Sequence, residues 1–536
     1  MTGPLRSVPY ARLRGFTRLF TTYCTGWDLL SAFFGGDWRE KESYLTLAGR
    51  IQTGASAPLV DALERQNAAW GNPVHEHLDV LRKPRTLAVV TGQQLGLFGG
   101  PLYTLYKALT AVKLSERLAE VLERPVVPVF WLEGGDHDLA EVSHLSVPGA
   151  TQVEAITYRS PTASGNSGSV GQLVLGPDIQ RVREDLGHRL PPAEFRRQIL
   201  DQYYGAYREG VTFTDAFACT TARLLRKCPL VLINPEDPAV KQLVTPLFEK
   251  ALCEHAEAYA RLEAASEALE RDYHVQVQPR ATHLFYQDTF GRNAIRPHGA
   301  GFTIQGSGQQ LTATEVISRI HAHPHRFSPN VALRPLVQDT LLPTIAYVAG
   351  PGEVSYFAQF KGLYEWAGIP MPMIYPRASI TLVEPREQRI LRKHDLDMED
   401  LLQDVETLLD RLVVKGSNVD AAFQRAADAL AEVLDKLSPT ITAVDVTLGR
   451  TAEAARAAWL KELGKLRRRV ARAEKSRHEV LRSQLVRSQQ ALFPEGKLQE
   501  RVLNAAYYLS KYGPSFLDTL YDSITLRTAR HQALLL

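Results

Sequence analysis

The chain has 536 residues and a formal net charge of +3 at pH 7, from 62 Lys and Arg against 59 Asp and Glu. This near balance excludes a global attraction to nucleic acid or to an anionic membrane, so such a partner would need a local basic patch. No apolar stretch is long enough to span a bilayer, and the four scattered cysteines form no disulfide framework, so we expect a cytoplasmic protein without membrane contact.

Apolar runs alternate with helical patterns over much of the chain. The first run, residues 87–90, precedes a helical pattern at 103–122. Further predicted strands are 126–132, 230–233, 344–348 (with a helix through Trp366 after it) and 371–375. Such runs are typical of strands buried on both faces, and their alternation with helices predicts an α/β fold with a doubly wound parallel sheet. Ligands bind in this architecture at the carboxyl ends of the strands.

An insertion separates the second of these strands from the fourth. It contains a loop of small residues at 160–169 and amphipathic stretches near 194–209 and 241–271. A segment with β-type alternation and turn residues follows, beginning at His274. The pattern predicts an α+β insertion that grows out of the sheet domain.

A coiled coil is predicted in the C-terminal region, roughly 386–490, because apolar residues recur there at steps of four and three. The triplet 416–418 marks a turn before this seam, and Ser438-Pro439 a kink or a restart. No proline occurs between Pro439 and Pro494, so an uninterrupted helix there would be about 80 Å long. The seam residues are Phe423, Ala427, Leu430, Leu434, Leu437, Ile441, Val444 and Leu448.

These patterns predict five segments. Residues 1–150 hold an N-terminal segment and the first half of the core, and 151–325 form the insertion, which includes a core strand near 229–234. Residues 326–385 complete the core, 386–490 form the helical coiled coil, and 491–536 pack back on the core.

The stretch from Thr91 to Ala108, TGQQLGLFGGPLYTLYKA, lies between the first strand and its helix. Its glycines allow close backbone approach, and the N–H groups that begin the helix suit an anion. The Walker pattern G-x-x-x-x-G-K-[ST] is absent. The nearest lysine downstream, Lys107, lies inside the predicted helix. The alternative is a glycine-rich structural turn. The candidate ligand-binding residues are Thr91, Gly92, Gln93, Gln94, Gly99, Gly100 and Tyr103.

Acidic residues and histidines crowd the end of the second strand, in WLEGGDHDLAEVSH. A carboxylate next to a histidine suits proton transfer or the positioning of an amine, so Asp136 and His137 are candidate catalytic residues and Glu133 and Asp138 candidate binding residues. A helix cap and a metal site are the alternatives.

Two further stretches contribute candidates near the fourth strand. Arg334 lies in an otherwise apolar stretch and is a candidate catalytic residue that would grip a carboxylate or phosphate, with a structural ion pair as the alternative. Its predicted partners in binding are Asn330, Gln338, Gly350, Gly352 and Glu353. Glu353 either caps a helix or binds a ligand amine. The alternating histidines His321, His323 and His325 suggest a solvated loop more than zinc, and we predict no metal.

The C-terminal helix is locally basic, with 11 Lys and Arg against 4 Asp and Glu over residues 451–490. A charge run on a coiled coil usually forms its solvated face. Contact with an RNA backbone is the minority interpretation, and it is weakened because aromatic residues for base stacking are not interleaved there.

Several stretches together resemble the bacillithiol biosynthesis cysteine-adding enzyme family. They are VVTGQQLGLFGGPLYTLYKALTAVKL, PVFWLEGGDHDLAEV, FSPNVALRPLVQDTLLPTIAYVAGPGEVSYFAQFK, PMPMIYPRAS and EGKLQERVLN, which span nearly the whole chain. The resemblance implies a Rossmann-like core similar to that of class I aminoacyl-tRNA synthetases, a connecting-peptide insertion and a C-terminal coiled coil. It also implies a homodimer.

The same resemblance implies the activity: a ligase that joins L-cysteine to glucosaminyl-malate through an amide, in the last step of bacillithiol biosynthesis. A carboxylate must be activated before it acylates an amine, as an adenylate or acyl phosphate, so we expect ATP to be used. Backbone N–H groups and an arginine would stabilise the developing negative charge. The competing hypotheses are an RNA-binding protein with a degenerate synthetase-like core and a purely structural coiled-coil dimer.

Overall fold

A computed structural model describes residues 6–149, 152–160, 168–289, 291–414, 419–526 and 529–536. The chain divides into two compact units, which are described separately. Unit 1 contains residues 1–149, 153–382 and 497–536, and unit 2 contains residues 150–152 and 383–496.

The strands of the described residues are, in chain order, β1 (Arg6–Pro9), β2 (Leu87–Gln94), β3 (Val126–Glu133), β4 (His144–Pro148), β5 (Val153–Thr157), β6 (Val231–Ile233), β7 (Leu284–Asp288), β8 (Gly291–His298), β9 (Gly301–Ile304), β10 (Gln310–Thr312), β11 (Phe327–Pro329), β12 (Thr344–Ala349), β13 (Met373–Pro376), β14 (Ile380–Val383) and β15 (Arg530–Leu535).

The α-helices of unit 1 that precede the second half of the core are α1 (Arg18–Thr25), α2 (Lys41–Arg50), α3 (Ala57–Ala69), α4 (His75–Leu81), α5 (Leu102–Leu122), α6 (Leu139–Val142), α7 (Asp178–Arg189), α8 (Arg196–Gln198), α9 (Phe213–Leu224), α10 (Pro238–Leu243), α11 (Thr245–Cys253), α12 (His255–Glu270) and α13 (Ala313–Ala322). The remaining helices are α14 (Arg334–Leu341), α15 (Pro351–Phe357), α16 (Lys361–Ala367), α17 (Pro385–His394), α18 (Val405–Val414), α19 (Val419–Val444), α20 (Leu448–Leu492), α21 (Gln499–Val502), α22 (Ala506–Tyr512) and α23 (Ser515–Ser523).

A five-stranded sheet in the order β13-β12-β2-β3-β6 forms the centre of unit 1, and every adjacent pair in it is parallel. The predicted doubly wound parallel sheet is therefore confirmed. The first strand is longer than predicted, because Gln94 still pairs with Glu133 at the far end of β3. The helix predicted to run from β12 through Trp366 is two helices, α15 and α16. Between them the amides of Gln359 and Phe360 bond three residues back, as in a turn.

The insertion carries an antiparallel sheet, β10-β9-β8-β7-β11, and a separate antiparallel pair, β4-β5. A third sheet joins the two ends of the chain, since β15 pairs antiparallel with β1 in the order β1-β15-β14. Among the described residues, no helix is both long and apolar enough to cross a membrane.

Unit 2 consists mainly of a hairpin of two long helices, α19 and α20, tied by an ion pair of 3.0 Å between Asp435 and Arg456. Pro439 lies inside α19, so the helix does not restart there. The helix ends at Val444 instead, because the Asp445 carboxylate accepts bonds from the amide and the hydroxyl of Thr447. The predicted single helix of about 80 Å is thus wrong. The 45 residues of α20 span about 68 Å. The turn predicted at 416–418 lies outside the described residues.

Candidate functional site

A cavity of about 1060 Å³ opens at the carboxyl ends of β2, β3 and β12 in unit 1. This is the position where ligands bind in parallel α/β sheets. Predicted residues that line it are Gly92, Gln93, Gln94, Tyr103, Glu133, Asp136, Asn330, Arg334, Gly350, Gly352 and Glu353. Lining residues that the sequence did not suggest include Lys107, Glu236, Arg292, Tyr347, Tyr356, Arg377 and Arg501.

The glycine-rich stretch contributes its first part to this cavity. Gln93 and Gln94 extend from the end of β2, and the Gln93 amide donates to the Tyr103 hydroxyl at 3.2 Å. Thr91 has a different role, because its buried hydroxyl donates to the Val348 carbonyl at 2.9 Å and ties β2 to β12.

Gly99 and Gly100 do not line the large cavity, which corrects the expected anion cradle. The Gly99 amide donates to the Tyr207 hydroxyl at 3.4 Å, and the Gly100 amide to the Leu97 carbonyl at 3.1 Å. The first amide of α5, at Leu102, already bonds to the Leu503 carbonyl at 2.9 Å. These N–H groups therefore have protein acceptors, and the two glycines border a separate void of about 30 Å³.

Lys107, which the sequence placed inside a helix, is buried beside the cavity with 3% of its side chain exposed. Its ammonium donates to the Gly92 carbonyl at 2.7 Å, to the Gln93 side chain at 3.1 Å and to the Glu353 carboxylate. An ammonium has three protons, so these acceptors saturate it. Lys107 thus fixes the end of β2 against α15.

Glu353 both begins α15 and partners Lys107. One carboxylate oxygen accepts the Gly350 amide at 2.6 Å, and the other accepts the Tyr347 hydroxyl at 2.7 Å. Burial alone would raise the pKa of Glu353, but Lys107 and these hydrogen bonds together hold the pKa below its ordinary value. Glu353 therefore has the predicted role of a helix cap and also lines the cavity.

The stretch after β3 brings Asp136 to the cavity wall. The next two residues, His137 and Asp138, do not line the cavity. Asp136 accepts from the Gln94 amide at 2.9 Å and from the His137 backbone at 2.7 Å. Burial would raise the pKa of Asp136, and these bonds overcome that effect, so its pKa is lowered. The His137 ring is half exposed, 3.6 Å from the Asp136 carboxylate. Asp138 caps α6 by accepting the Glu141 amide at 3.3 Å.

Glu133 differs from Asp136 in its electrostatics. Burial and the nearby carboxylate of Glu236 raise the pKa of Glu133, although Arg334 and a bond of 3.2 Å from the Trp131 indole act in the opposite direction. One cavity therefore holds a carboxylate with a raised pKa and another with a lowered pKa. This is the arrangement that separates a proton acceptor from a fixed anion.

Arg334 is a cation of the cavity whose pairing is incomplete. Its Nη1 donates to Gln338 at 3.3 Å, its Nε lies 3.9 Å from the Glu133 carboxylate, and its guanidinium lies 5.6 Å from the Tyr347 ring centre. The buried Nη2 atom has no hydrogen-bond partner among the described residues. Gln338 is fully buried and also donates to Asp339 at 2.8 Å, so it positions the guanidinium.

Asn330 supports this arginine through the backbone, because its side-chain oxygen accepts the amides of Ala332 and Leu333 at 3.0 Å just before α14. A second arginine, Arg292 on β8, also faces the cavity. It donates to two uncharged oxygens, the Ser328 hydroxyl and the Pro329 carbonyl, each at 2.8 Å. Burial lowers the pKa of Arg292.

No group of three or more His, Cys, Asp or Glu side chains within the described ranges could hold a metal ion. His321 bonds to Glu249 at 3.0 Å, and the rings of His323 and His325 lie 6.0 Å apart. The four cysteines are free.

Two family models match the chain over almost its whole length. One is described as "Bacillithiol biosynthesis BshC, N-terminal Rossmann-like domain" and matches residues 5–378. The other is described as "Bacillithiol biosynthesis BshC, C-terminal coiled-coil domain" and matches residues 380–536. The predicted fold class, a Rossmann-like α/β core with a C-terminal coiled coil, is therefore confirmed.

A solved structure from Campylobacter jejuni, named as a "putative arginyl t-RNA synthetase", aligns with a TM-score of 0.20 and 11% identity over 79% of this chain and 92% of that one. Similarity at this level carries no argument about fold or function.

Full-length relatives agree with the family models. A protein of Salinibacter ruber named "Putative cysteine ligase BshC" is 42% identical over 98% of this chain and 97% of its own. Proteins with the same name from Prosthecochloris aestuarii and Chlorobaculum tepidum are 38% and 35% identical, over 95% and 96% of this chain and 94% and 96% of theirs. Matched by both domain models and by these relatives from end to end, the chain belongs to the bacillithiol biosynthesis BshC family.

Proposed function

We propose that this protein is a cytoplasmic ligase that joins L-cysteine to glucosaminyl-malate through an amide bond, in the last step of bacillithiol biosynthesis. Family membership and the names of the relatives support the class of reaction. The observation that carries the proposal is a single cavity in which the incompletely paired guanidinium of Arg334 lies beside two carboxylates with opposite pKa shifts, Glu133 and Asp136.

Amide formation requires a base and a stabilised leaving group. A C–N bond forms between the carboxyl carbon of cysteine and the glucosamine nitrogen, the bond from that carbon to its leaving oxygen breaks, and one N–H proton is transferred to a base. Glu133 is the better proton acceptor, since a raised pKa makes a carboxylate more basic. Asp136 stays ionised and positions the amine, with His137 beside it.

Arg334 binds an anionic oxygen in this scheme. Its free Nη2 donor is buried, and a buried donor without an acceptor is costly unless a ligand supplies one. A malate carboxylate and a phosphate both fit this donor, because each can accept from a guanidinium. We propose ATP as the energy source; when bound, it would supply the leaving group of the activated carboxylate. Arg334 and Gln93 are the residues that would hold its phosphates.

A homodimer through the helical hairpin is part of the proposal. Trp459 and Leu466 on α20 are 49% and 51% exposed, and apolar surface of this kind suits a second copy of the chain. The RNA-binding hypothesis has no comparable support. Two basic residues of α20 already pair with carboxylates, Arg456 with Asp435 and Arg482 with Glu406.

The test is mass spectrometry of thiols and their precursors in a strain that lacks the gene. We expect glucosaminyl-malate to accumulate and bacillithiol to disappear, and a plasmid copy of the gene should restore the thiol. Normal bacillithiol in the deletion strain would contradict the proposed function.

A further inference from the structure

Two stretches of unit 1 meet at the cavity although the scheme above gives them no role. One is the segment after β13, with Arg377, and the other is the start of the C-terminal segment, with Glu500. The Nη2 of Arg377 donates to the Glu500 carboxylate at 2.7 Å. The exposed fractions of these side chains are 3% and 0%, so the pair is fully buried.

Glu500 is held rigidly. It accepts the Ser379 hydroxyl and the Ile380 amide, each at 2.9 Å, in addition to Arg377. Arg377 also donates through Nη1 to the Ala378 carbonyl at 2.7 Å. The guanidinium is thus fixed on the side that faces the C-terminal segment.

A third nitrogen of the same guanidinium, Nε, is unpaired among the described residues. The buried Nε of Arg377 has no hydrogen-bond partner in the part of the chain that the structure describes. The guanidinium lies 5.5 Å from the ring centre of Tyr103, which lines the cavity. A Cβ built on Gly350, another lining residue, would lie 3.7 Å from this Nε and 3.2 Å from the Glu353 carboxylate. Arg377 and both of these neighbours line the cavity, so the unpaired Nε lies at the cavity wall next to a glycine.

We propose that Arg377 binds an anionic oxygen of the substrate through its Nε, at a subsite separate from Arg334, and that Glu500 is the residue that positions it. The inference rests on the proposed ligase function for the identity of the ligand, which offers the oxygen as a carboxylate or as a phosphate. A charged donor in a dry site favours either anion, and the paired Nη2 keeps the guanidinium from turning away.

The C-terminal segment consequently completes the site as well as the fold. Gln499 bonds to both the amide and the carbonyl of Leu382, and Asn504 donates to the Phe98 and Gly100 carbonyls at 3.2 and 2.7 Å. One short stretch thus anchors both the glycine-rich loop and the arginine.

The experiment is calorimetric titration of the full-length chain with L-malate and, separately, with inorganic pyrophosphate. The variants are Arg377→Lys, which keeps a charge without Nε, and Glu500→Gln, which weakens the positioning. Arg124→Lys is the matched control, because Arg124 bonds to the backbone carbonyls of Arg85 and Ile51 away from the cavity. Melting temperatures are recorded on the same samples, and titrations are done well below them.

We expect Arg377→Lys to raise the Kd for at least one probe by about tenfold or more, the effect of one charge-assisted hydrogen bond. Glu500→Gln should raise the same Kd less, and Arg124→Lys should lower only the melting temperature. If Arg377→Lys loses affinity for malate alone, the subsite binds a carboxylate. If it loses affinity for pyrophosphate alone, the subsite binds a phosphate.

Gly350→Ala tests the subsite without changing Arg377 or Glu500, and its melting temperature reports any disturbance of the nearby Glu353 carboxylate. Its methyl group would fill the space before Nε, and the φ of −76° at Gly350 is one that alanine adopts. We expect Gly350→Ala to lose affinity for the same probe as Arg377→Lys. Wild-type affinity for both probes in Arg377→Lys and Gly350→Ala, or no binding of either probe by the wild type, would overturn the proposal. Failure of the proposed function would appear differently, as anion binding that is intact in a protein that makes no amide.

Discussion

Two cations that line the cavity differ in how completely the protein pairs them. Lys107 places all three of its protons on acceptors from β2 and α15. Arg334 keeps one nitrogen without an acceptor among the described residues, and its nearest carboxylate lies 3.9 Å away. The difference teaches that a cation in a ligand cavity need not be a ligand-binding group. A saturated cation stabilises the site, and an unsaturated one is available to the substrate.

The largest expected effect comes from breaking the saturated pair. Lys107→Met leaves Glu353 buried without its cation, so we expect the free energy of unfolding to fall by about 3–5 kcal/mol. Denaturant unfolding monitored by fluorescence measures it. Lys113→Met is the control, because Lys113 lies on the same helix but is only half-buried and bonds to backbone carbonyls. Equal, small losses in the two variants would show that Lys107 does not stabilise the fold.

Low pH should lower the free energy of unfolding through a second buried group, His531 on β15. His531 is buried between the Ser379 and Thr381 hydroxyls, each at 2.8 Å, and burial lowers its pKa to about 4 from an ordinary value of 6.5. The unfolded chain therefore binds more protons between these values. The stability from neutral His531 is complete above pH 6.5 and is lost as the pH falls towards 4, by about 3 kcal/mol.

His531→Gln isolates that contribution. The stability gap between the wild type and this variant should narrow by about 3 kcal/mol from pH 7 to pH 4, in denaturant unfolding at each pH. The exposed His298→Gln should show no such change. A gap that stays constant with pH would contradict the buried, neutral histidine.

On the ligand side, Asp136→Asn should have the largest effect on turnover. The variant removes the fixed negative charge and points an amide at the Gln94 or His137 donors. We expect kcat to fall about 100-fold or more with the melting temperature nearly unchanged. Asp138→Asn, at a helix cap beside it, is the control. Near-normal product formation by Asp136→Asn would reduce this residue to a turn-forming role.

Arg334→Lys should have a smaller effect, mainly on binding. Lysine keeps the charge but loses the planar fork, so we expect KM to rise about tenfold or more with little change in melting temperature. Melting temperature and KM are measured on the same sample. A lower melting temperature with an unchanged KM would instead make Arg334 a structural residue.

We expect substitutions in the helical hairpin to have the smallest effect on the cavity. The seam positions Leu434 and Ile441 are half-buried, so charges there would disturb the hairpin itself. Trp459→Asp with Leu466→Asp charges exposed positions instead. We expect this double variant to sediment as a monomer, since a charge without a partner is costly to bury. Sedimentation of the variant as a dimer would place the interface elsewhere.

The sequence predicted those features of the fold and the site that depend on local residue patterns. Buried strands produce apolar runs such as 87–90, and the polar residues that follow them, including Glu133 and Asp136, lie at the same edge of a parallel sheet. Pairings across long separations left no local signal. Lys107 meets Glu353 and Arg377 meets Glu500 only after folding. Gly99 and Gly100 had the composition of a ligand loop, but the Gly99 amide bonds to the Tyr207 hydroxyl, which the sequence could not place beside it, and the Gly100 amide bonds to the Leu97 carbonyl within the same loop.

The most direct test of the central claim is reconstitution with the purified full-length chain. Isotope-labelled L-cysteine, glucosaminyl-malate and ATP are incubated with the wild type or with Arg334→Lys, and products are identified by mass spectrometry. We predict labelled bacillithiol that depends on ATP and is formed more slowly by the variant at low glucosaminyl-malate or low ATP. Equal rates for the two proteins under those conditions, or no labelled amide from the wild type, would contradict the claim that this cavity joins cysteine to glucosaminyl-malate.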